Sequence, residues 1–213
     1  MFLQLFQTNP VAAVAFVGGI LVGIVVHEAS HASSAYSLGD DTAYREGRVT
    51  LNPAAHLEFL SVLMIFLVGV GWGRTPVTPS KLRGGVWGQV AVAAAGPASN
   101  LLVLALCAML LRLPVFYGGY LYIIVWFLAL ANALLFVFNL VPIPPLDGAA
   151  ILYPLLPRSL NGFVGLMYQY GPMVLLGLLL ISVLLPGASP LNLVFDLIRP
   201  LFGLLGMPLR STP

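Results

Sequence analysis

Apolar residues run almost unbroken from Val11 to Val26, and polar ones then arrive in a single burst, His27 to Ser34, before Leu38-Gly39-Asp40 closes the segment. This pattern predicts a first helix from Val11 to about Tyr36, long enough to cross a bilayer and polar only towards its C-terminal end. The next stretch differs. In Gly47-Arg48-Val49-Thr50-Leu51-Asn52-Pro53 polar and apolar positions roughly alternate and stop at a proline, which predicts a short strand-like or hairpin element near the membrane surface. Phe59 to Gly73 is apolar again but only fifteen residues long, so it is either a short span or a re-entrant segment packed against other helices.

Arg74 to Gly85 reads as a loop containing Pro, Lys and Arg. Apolar spans are then predicted from about Val86 to Leu111, Tyr120 to Val141 and Gly162 to Leu185, with breaks at Gly118-Gly119, at the prolines 142, 144 and 145, and at Pro186-Gly187. Neither Leu113 to Leu146 nor Ser159 to Phe195 contains a charged residue. Leu191 to Leu205 places Asp196 and Arg199 on one face of an apolar helix, which fits an interfacial helix as well as a last span. The expected fold class is an all-α polytopic membrane protein: a bundle of about four to six transmembrane or re-entrant segments, with a short strand-like element after the first helix. One membrane-embedded domain is expected over residues 1–213, its core at about 11–156 and its C-terminal helices at about 160–206.

Composition reinforces this picture. Hydrophobic residues make up 60% of the 213 and charged ones 8%, too few charges to cover a water-soluble globule. Met1 to Pro10 contains no Lys or Arg, so the first apolar run is expected to stay in the mature protein rather than act as a secretory signal. The single cysteine, Cys107, excludes an intrachain disulfide and a cysteine-cluster metal site. The net charge of +2 is scattered over short loops and gives no support to nucleic-acid binding. Arg45, Arg48, Arg74, Lys81 and Arg83 all lie between the first span and Val86. If Phe59 to Gly73 does not cross, the positive-inside rule makes their side cytoplasmic, with the N-terminus outside and Asp147 back on the cytoplasmic side.

The candidate chemistry sits in two places. His27-Glu28-Ala29-Ser30-His31 is an H-E-x-x-H pattern, whose two histidines, four residues apart, share one helix face and can reach one metal ion. Glu28 lies beside that face, where it can take a proton from an attacking water and pass it to a leaving amine. A solvated helix face is the ordinary alternative, but these groups follow sixteen uncharged residues, and burying two imidazoles and a carboxylate in a membrane is costly unless they are paired, metal-bound or wet. A catalytic zinc site normally takes a third protein ligand. Asp147 is the best candidate, at the end of Asn139-Leu140-Val141-Pro142-Ile143-Pro144-Pro145-Leu146-Asp147-Gly148, where the prolines break a helix and Gly148 permits close backbone approach. Taken alone, Asp147 would read as a helix N-cap.

Asn139, Asn100 and His56 are the remaining candidates for contact with substrate or transition state. An amide can hold a peptide backbone or an oxyanion, a role favoured for Asn139; interhelical hydrogen bonding is the stronger reading of Asn100. His56 could be a gate or transient ligand, although a surface histidine beside Glu58 is the plainer reading. A metal transporter would place several ligand sites along a path, whereas this chain has three histidines and one concentrated constellation.

His27-Glu28-Ala29-Ser30-His31 on the first helix, followed by Asn139 to Gly148, resembles the site-2 protease family of intramembrane zinc metalloproteases. Gly96-Pro97-Ala98-Ser99-Asn100 and Gly47 to Pro53 with His56 resemble its compact bacterial and archaeal members, and the likeness covers about residues 11 to 156. The resemblance implies one Zn2+ held by His27, His31 and Asp147, with Glu28 as general base. It also implies hydrolysis of membrane-embedded protein or peptide substrates, and residence in a prokaryotic cell membrane with the site towards the cytoplasm. Asp40-Asp41-Thr42 departs from the Asp-Pro-Thr common in the family, and no separate regulatory domain is evident. Substrate identity and oligomeric state are not legible in the sequence.

Overall fold

The structure, a computed structural model, describes residues 7–68, 71–185 and 191–207. The elements, in chain order, are α1 (Pro10–Ser37), α2 (Thr42–Arg45), α3 (Phe59–Val68), α4 (Val86–Leu110), α5 (Gly119–Asn139), α6 (Asp147–Leu152), α7 (Asn161–Leu184) and α8 (Leu191–Leu204), joined by loops and short 3₁₀ turns. Among the described residues, four helical segments are long and apolar enough to cross a membrane: α1, α4, α5 and Arg158–Ser182, which holds most of α7. The described residues are therefore all-helical in class, with spans suited to a bilayer.

Local chemistry sets the element ends. Asn9 caps α1 by accepting from the Ala12 N–H at 3.0 Å, and Pro10 takes the first helical position, where a missing N–H costs nothing. α4 continues through Pro97, which removes one backbone hydrogen bond and crowds the preceding turn. α5 stops at Asn139, ahead of the prolines.

The helices α1, α4 and α5 pack pairwise and form the centre of the molecule. Water does not drive helices together inside lipid, so close packing needs small side chains. Gly19 illustrates this: a Cβ there would lie 3.0 Å from Ala131 Cβ and 3.1 Å from the Leu128 Cα, at the limit of contact between α1 and α5. Towards the N-terminal end of α1 the packing is wholly apolar. There Leu104, Trp126, Phe127 and Ala133 meet Val194, Ile198 and Phe202 of α8. The rings of Trp126 and Phe202 sit edge to face at 6.3 Å. α8 keeps Asp196 and Arg199 outward as an exposed ion pair at 3.2 Å.

The strand-like element expected at Gly47 to Pro53 is not formed. No strand occurs among the described residues, and this stretch is a sequence of turns and bends ending in a 3₁₀ turn at Pro53–Ala55. The reason lies in how its backbone groups are used. Gly47 adopts a positive φ of 69°, the Arg48 N–H bonds Ala43 O, and the Thr50 carbonyl accepts from His56. Alternation produces a strand only when a neighbouring strand offers its backbone, and none does here.

The described ends of Phe59 to Gly73 lie together. α3 has ten residues, about 15 Å of helix, half the hydrocarbon thickness. Leu57 forms an isolated antiparallel bridge with Gly73, and the Ser61 hydroxyl donates to Trp72 O at 2.6 Å and accepts from its N–H at 2.9 Å. The two ends of the segment therefore lie side by side, the geometry of a re-entrant segment. The loops at this end of α1 are tied by buried Asp40, whose carboxylate accepts from the Thr42 N–H and hydroxyl and from the Thr78 N–H at 2.5 Å. Burial alone would push this carboxyl up. The hydrogen bonds from Thr42 and Thr78, with Lys81 nearby, outweigh that and hold it below its ordinary value. Asp41 pairs with Lys81 at 2.8 Å and with Arg45 one turn along.

Candidate metal centre

His27, Glu28 and His31 lie in the polar last third of α1, and all three are buried. Asp147 opens α6, where the chain has folded back sharply after α5. Gly148 makes that reversal feasible, because a Cβ there would overlap the carbonyls of Leu140 and Val141. The Tyr153 hydroxyl donates to Pro142 O at 2.8 Å and pins the far side of the turn.

This reversal brings Asp147 to the two histidines. Its Oδ2 lies 2.9 Å from His27 Nε2 and 3.3 Å from His31 Nε2, and the two Nε2 atoms are 3.0 Å apart. The other ring nitrogens settle which atoms carry protons. His31 Nδ1 faces Val92 O at 2.7 Å, and a carbonyl can only accept, so that nitrogen is the N–H. His27 Nδ1 faces Asn100 Oδ1 at 2.6 Å. The Asn100 amide is oriented by its own NH2, which donates to Gly23 O at 3.1 Å, so its oxygen is the atom turned to His27. With Nδ1 engaged in this way, each imidazole in its neutral form points a bare Nε2 lone pair at the same place as a carboxylate oxygen. Asp147 Oδ2 is buried and accepts no hydrogen bond.

Three acceptors this close repel one another unless a proton or a metal cation lies between them. Two imidazoles and a carboxylate, each imidazole oriented by a hydrogen bond on its other nitrogen, fit zinc and leave a coordination position for water or substrate. Gly96 keeps the space open. A Cβ at that position would collide with the Nε2 atoms of both histidines. Among the described residues, His27, His31 and Asp147 are the group of His, Cys, Asp or Glu donors that could hold a metal, all within 4.8 Å of one another.

Glu28 is held from the other side. Its Oε2 accepts from the Thr75 hydroxyl at 2.7 Å, and that hydroxyl lies 3.1 Å from the Glu28 backbone carbonyl as well. Gly73 passes so close that a Cβ on it would overlap the Glu28 side chain. The returning arm of the re-entrant segment thus covers the glutamate. It is fixed in turn by Arg48, whose guanidinium donates to Arg74 O and Ala55 O.

The other candidates fall elsewhere. Asn100 joins the site, but its side chain is fully buried and bonded to His27, Gly23 and Asn132, which leaves it turned to the protein rather than to a substrate. Asn139, part-buried at the end of α5, donates to Leu135 O at 2.9 Å. His56 is not at the surface: it is 1% exposed, donates from Nε2 to Thr50 O at 2.7 Å, and leaves Nδ1 without a partner. Two residues in the site were not expected from sequence. Asn132 is an uncharged polar residue in the middle of a charge-free apolar run, a costly placement that marks it. Thr75, in a polar loop, carries no comparable signal.

A membrane-spanning bundle with an enclosed His, His and carboxylate cluster beside a buried glutamate defines a membrane metalloenzyme. The chain is 36% identical over 168 residues to "Putative zinc metalloprotease YwhC" of Bacillus subtilis, covering 74% of this chain and 76% of that protein. It is 30% identical to Rip2 of Mycolicibacterium smegmatis, over 79% of this chain and 67% of the relative, which carries the same zinc metalloprotease description. Rip2 of Mycobacterium tuberculosis is 32% identical over 65% of this chain and 56% of its own length. No family model matches the chain, and no solved structure does either. The chain belongs to the site-2 protease family of zinc metalloproteases.

Proposed function

We propose that this protein is an intramembrane protease that binds one Zn2+ through His27, His31 and Asp147 and hydrolyses peptide bonds of membrane-embedded protein substrates with Glu28 as general base. The observation that carries this reading is the convergence of two imidazole lone pairs and the orphaned Asp147 oxygen on one point. Zinc held by such a set supplies Lewis-acid chemistry, acidifying water and polarising a carbonyl. The remaining work belongs to the chain itself. Glu28 follows His27 directly on α1; Thr75 holds its Oε2, and no hydrogen bond engages Oε1 among the described residues. A carboxylate anchored by one oxygen can take the proton of the attacking water with the other and return it to the leaving amine. Burial of His27, Glu28 and His31 limits contact with bulk water and strengthens their electrostatic contacts.

A substrate helix must unwind before cleavage, because its peptide groups are occupied by their own hydrogen bonds. An open groove of about 370 Å³ runs between the Val26, Ala29, Ser30 and Ser33 side of α1 and Val49 to Leu51. Its lining does not include His27, Glu28, His31 or Asp147, so an extended segment docked along Val49 to Leu51 would lie on the side of α1 away from the two histidines and would have to pass round the helix to reach them. All 213 residues act as one domain in this reading. The re-entrant course of Phe59 to Gly73 keeps Arg45, Arg48, Arg74, Lys81 and Arg83 on one side, which supports a cytoplasmic orientation of the site in a prokaryotic cell membrane.

The test uses purified full-length protein and a synthetic transmembrane peptide. Glu28→Gln is expected to keep one zinc per chain and to lower cleavage by about 10²- to 10⁴-fold, the range for loss of a general acid-base group. Wild-type cleavage that survives complete zinc removal by a chelator, or full activity of Glu28→Gln, overturns the proposal.

A further inference from the structure

Asn132 has no direct contact with the metal cluster, yet it is fully buried in the middle of α5, and both ends of its amide are engaged. Its NH2 donates to Leu128 O at 2.8 Å. A backbone carbonyl cannot donate, so this bond fixes the amide and turns Oδ1 outwards from its own helix. Oδ1 accepts from Asn100 Nδ2 at 2.9 Å. Asn100 Nδ2 spends its other hydrogen on Gly23 O, and Asn100 Oδ1 accepts from His27 Nδ1. Every donor and acceptor in the relay Leu128 O, Asn132, Asn100, His27 is therefore assigned in one direction.

We infer that Asn132 is a positioning residue for the metal site: through Asn100 it locks His27 in the form that carries its proton on Nδ1 and offers Nε2 to the metal. Gly23 O fixes one hydrogen of the Asn100 amide, but without Asn132 the second would be buried and unpaired. The Asn100 side chain would then gain by rotating towards another acceptor, and its oxygen would leave His27. The relay also has a mechanical consequence. It joins α5, whose end leads into Asp147, to α4 and α1, so the helix that sets one ligand is held against the helix that carries the other two. A buried Asn used only to hold helices together would satisfy its amide with any partner. Here the partner is the residue bonded to a metal-facing histidine.

The inference rests on the zinc reading above, and the experiment separates the two. Zinc affinity of full-length protein in detergent is measured by competition with a chelator, together with the visible spectrum of the Co2+-substituted protein and thermal unfolding without metal. Asn132→Leu removes the acceptor at similar volume, and Asn132→Ala removes it if the leucine variant fails to fold. Asn132→Asp keeps an oxygen acceptor towards Asn100 whether or not it is protonated. Loss of outer-shell partners of metal ligands weakens metal binding by about 10- to 100-fold, so the Leu and Ala variants are expected to bind zinc about tenfold more weakly and to shift the cobalt spectrum. Asn132→Asp is expected to stay within about twofold of wild type. Leu and Ala variants with wild-type affinity and spectrum overturn the inference, as does an Asp variant that loses as much as they do. A wild-type protein that binds no zinc overturns the metal reading itself.

Discussion

Two of the membrane helices are alike in composition and opposite in environment. Half of the most apolar stretch of α1 is buried inside the protein, against 6% of that in Arg158–Ser182. Both are long, both are charge-free over most of their length, and both contain several glycines. What separates them is the spacing of small and polar residues. Gly19, Gly23, Ala32 and Ala35 of α1 are buried, and at Gly19 and Gly23 a neighbouring helix lies within contact of where a Cβ would be. Gly162, Gly165 and Gly177 of α7 have nothing within 4 Å of that position, as is true of Gly18 of α1, whereas Gly171 of α7 lies against Pro144. In lipid, apolarity marks a span but not its partners; those are marked by groups that lipid cannot satisfy, such as His27, Glu28 and His31 on α1, Asn100 on α4 and Asn132 on α5.

Glycine substitutions turn this contrast into a test, and the largest effect is expected at Gly96. The three atoms nearest a Cβ there are ring atoms of His27 and His31, so relief would come from turning these rings off their hydrogen bonds to Asn100 and Val92 O rather than from moving backbone. The fold should therefore survive Gly96→Ala, while the geometry shared by the two imidazoles should not. Zinc affinity is expected to fall by on the order of 100-fold or more, with thermal unfolding of the metal-free protein little changed. Wild-type zinc binding in Gly96→Ala would show that the two rings are not confined to this arrangement.

The span pattern was legible in the sequence because helix ends coincide with Gly and Pro. α4 and α5 begin beside Gly85 and Gly118, and α5 ends before the prolines. The pairing of the H-E-x-x-H helix with Asp147 was also legible, since burying such groups in a membrane needs a reason. Two features were not. Alternation in Gly47 to Pro53 looked strand-like because the pattern says nothing of whether a partner strand exists, and His56 looked exposed because its hydrogen bond to Thr50 O depends on how the same loop folds back. Asn132 went unremarked although its placement was as unusual as that of Asn100; Val92 O, a backbone atom, has no side-chain signature at all.

A smaller effect is expected outside the membrane, where hydrogen bonds to Asp40 hold the loops at the end of α1. Asp40→Asn replaces a carboxylate oxygen by an NH2 that cannot accept from Thr42 or Thr78. At neutral pH the loss should be about 1 to 3 kcal/mol, measured as thermal unfolding in detergent micelles. The sign of its pH dependence follows from the lowered carboxyl. Its contribution is fully present above the ordinary value of 3.8 and fades as pH falls from there through the folded value, because the unfolded chain takes up the proton first. Wild type and variant should therefore converge in strongly acidic solution, and a gap that widens there would contradict this role.

The smallest effect is expected at Gly165, in the exposed part of α7. A methyl group added there meets no protein atom, so neither overlap nor improved packing can change the folded state. In water, alanine would favour the helix by about 1 kcal/mol over glycine; lipid already enforces helical hydrogen bonding, so most of that preference is removed. Gly165→Ala should stay within about 0.5 kcal/mol of wild type in thermal unfolding, with zinc affinity and peptide cleavage unchanged. Unchanged stability and zinc binding with a clear loss of cleavage would be the informative failure. No described atom lies within 4 Å of a Cβ at Gly165, so the added methyl group would then act on a molecule outside this chain, and cleavage of peptides varied opposite α7 would test whether that molecule is the substrate.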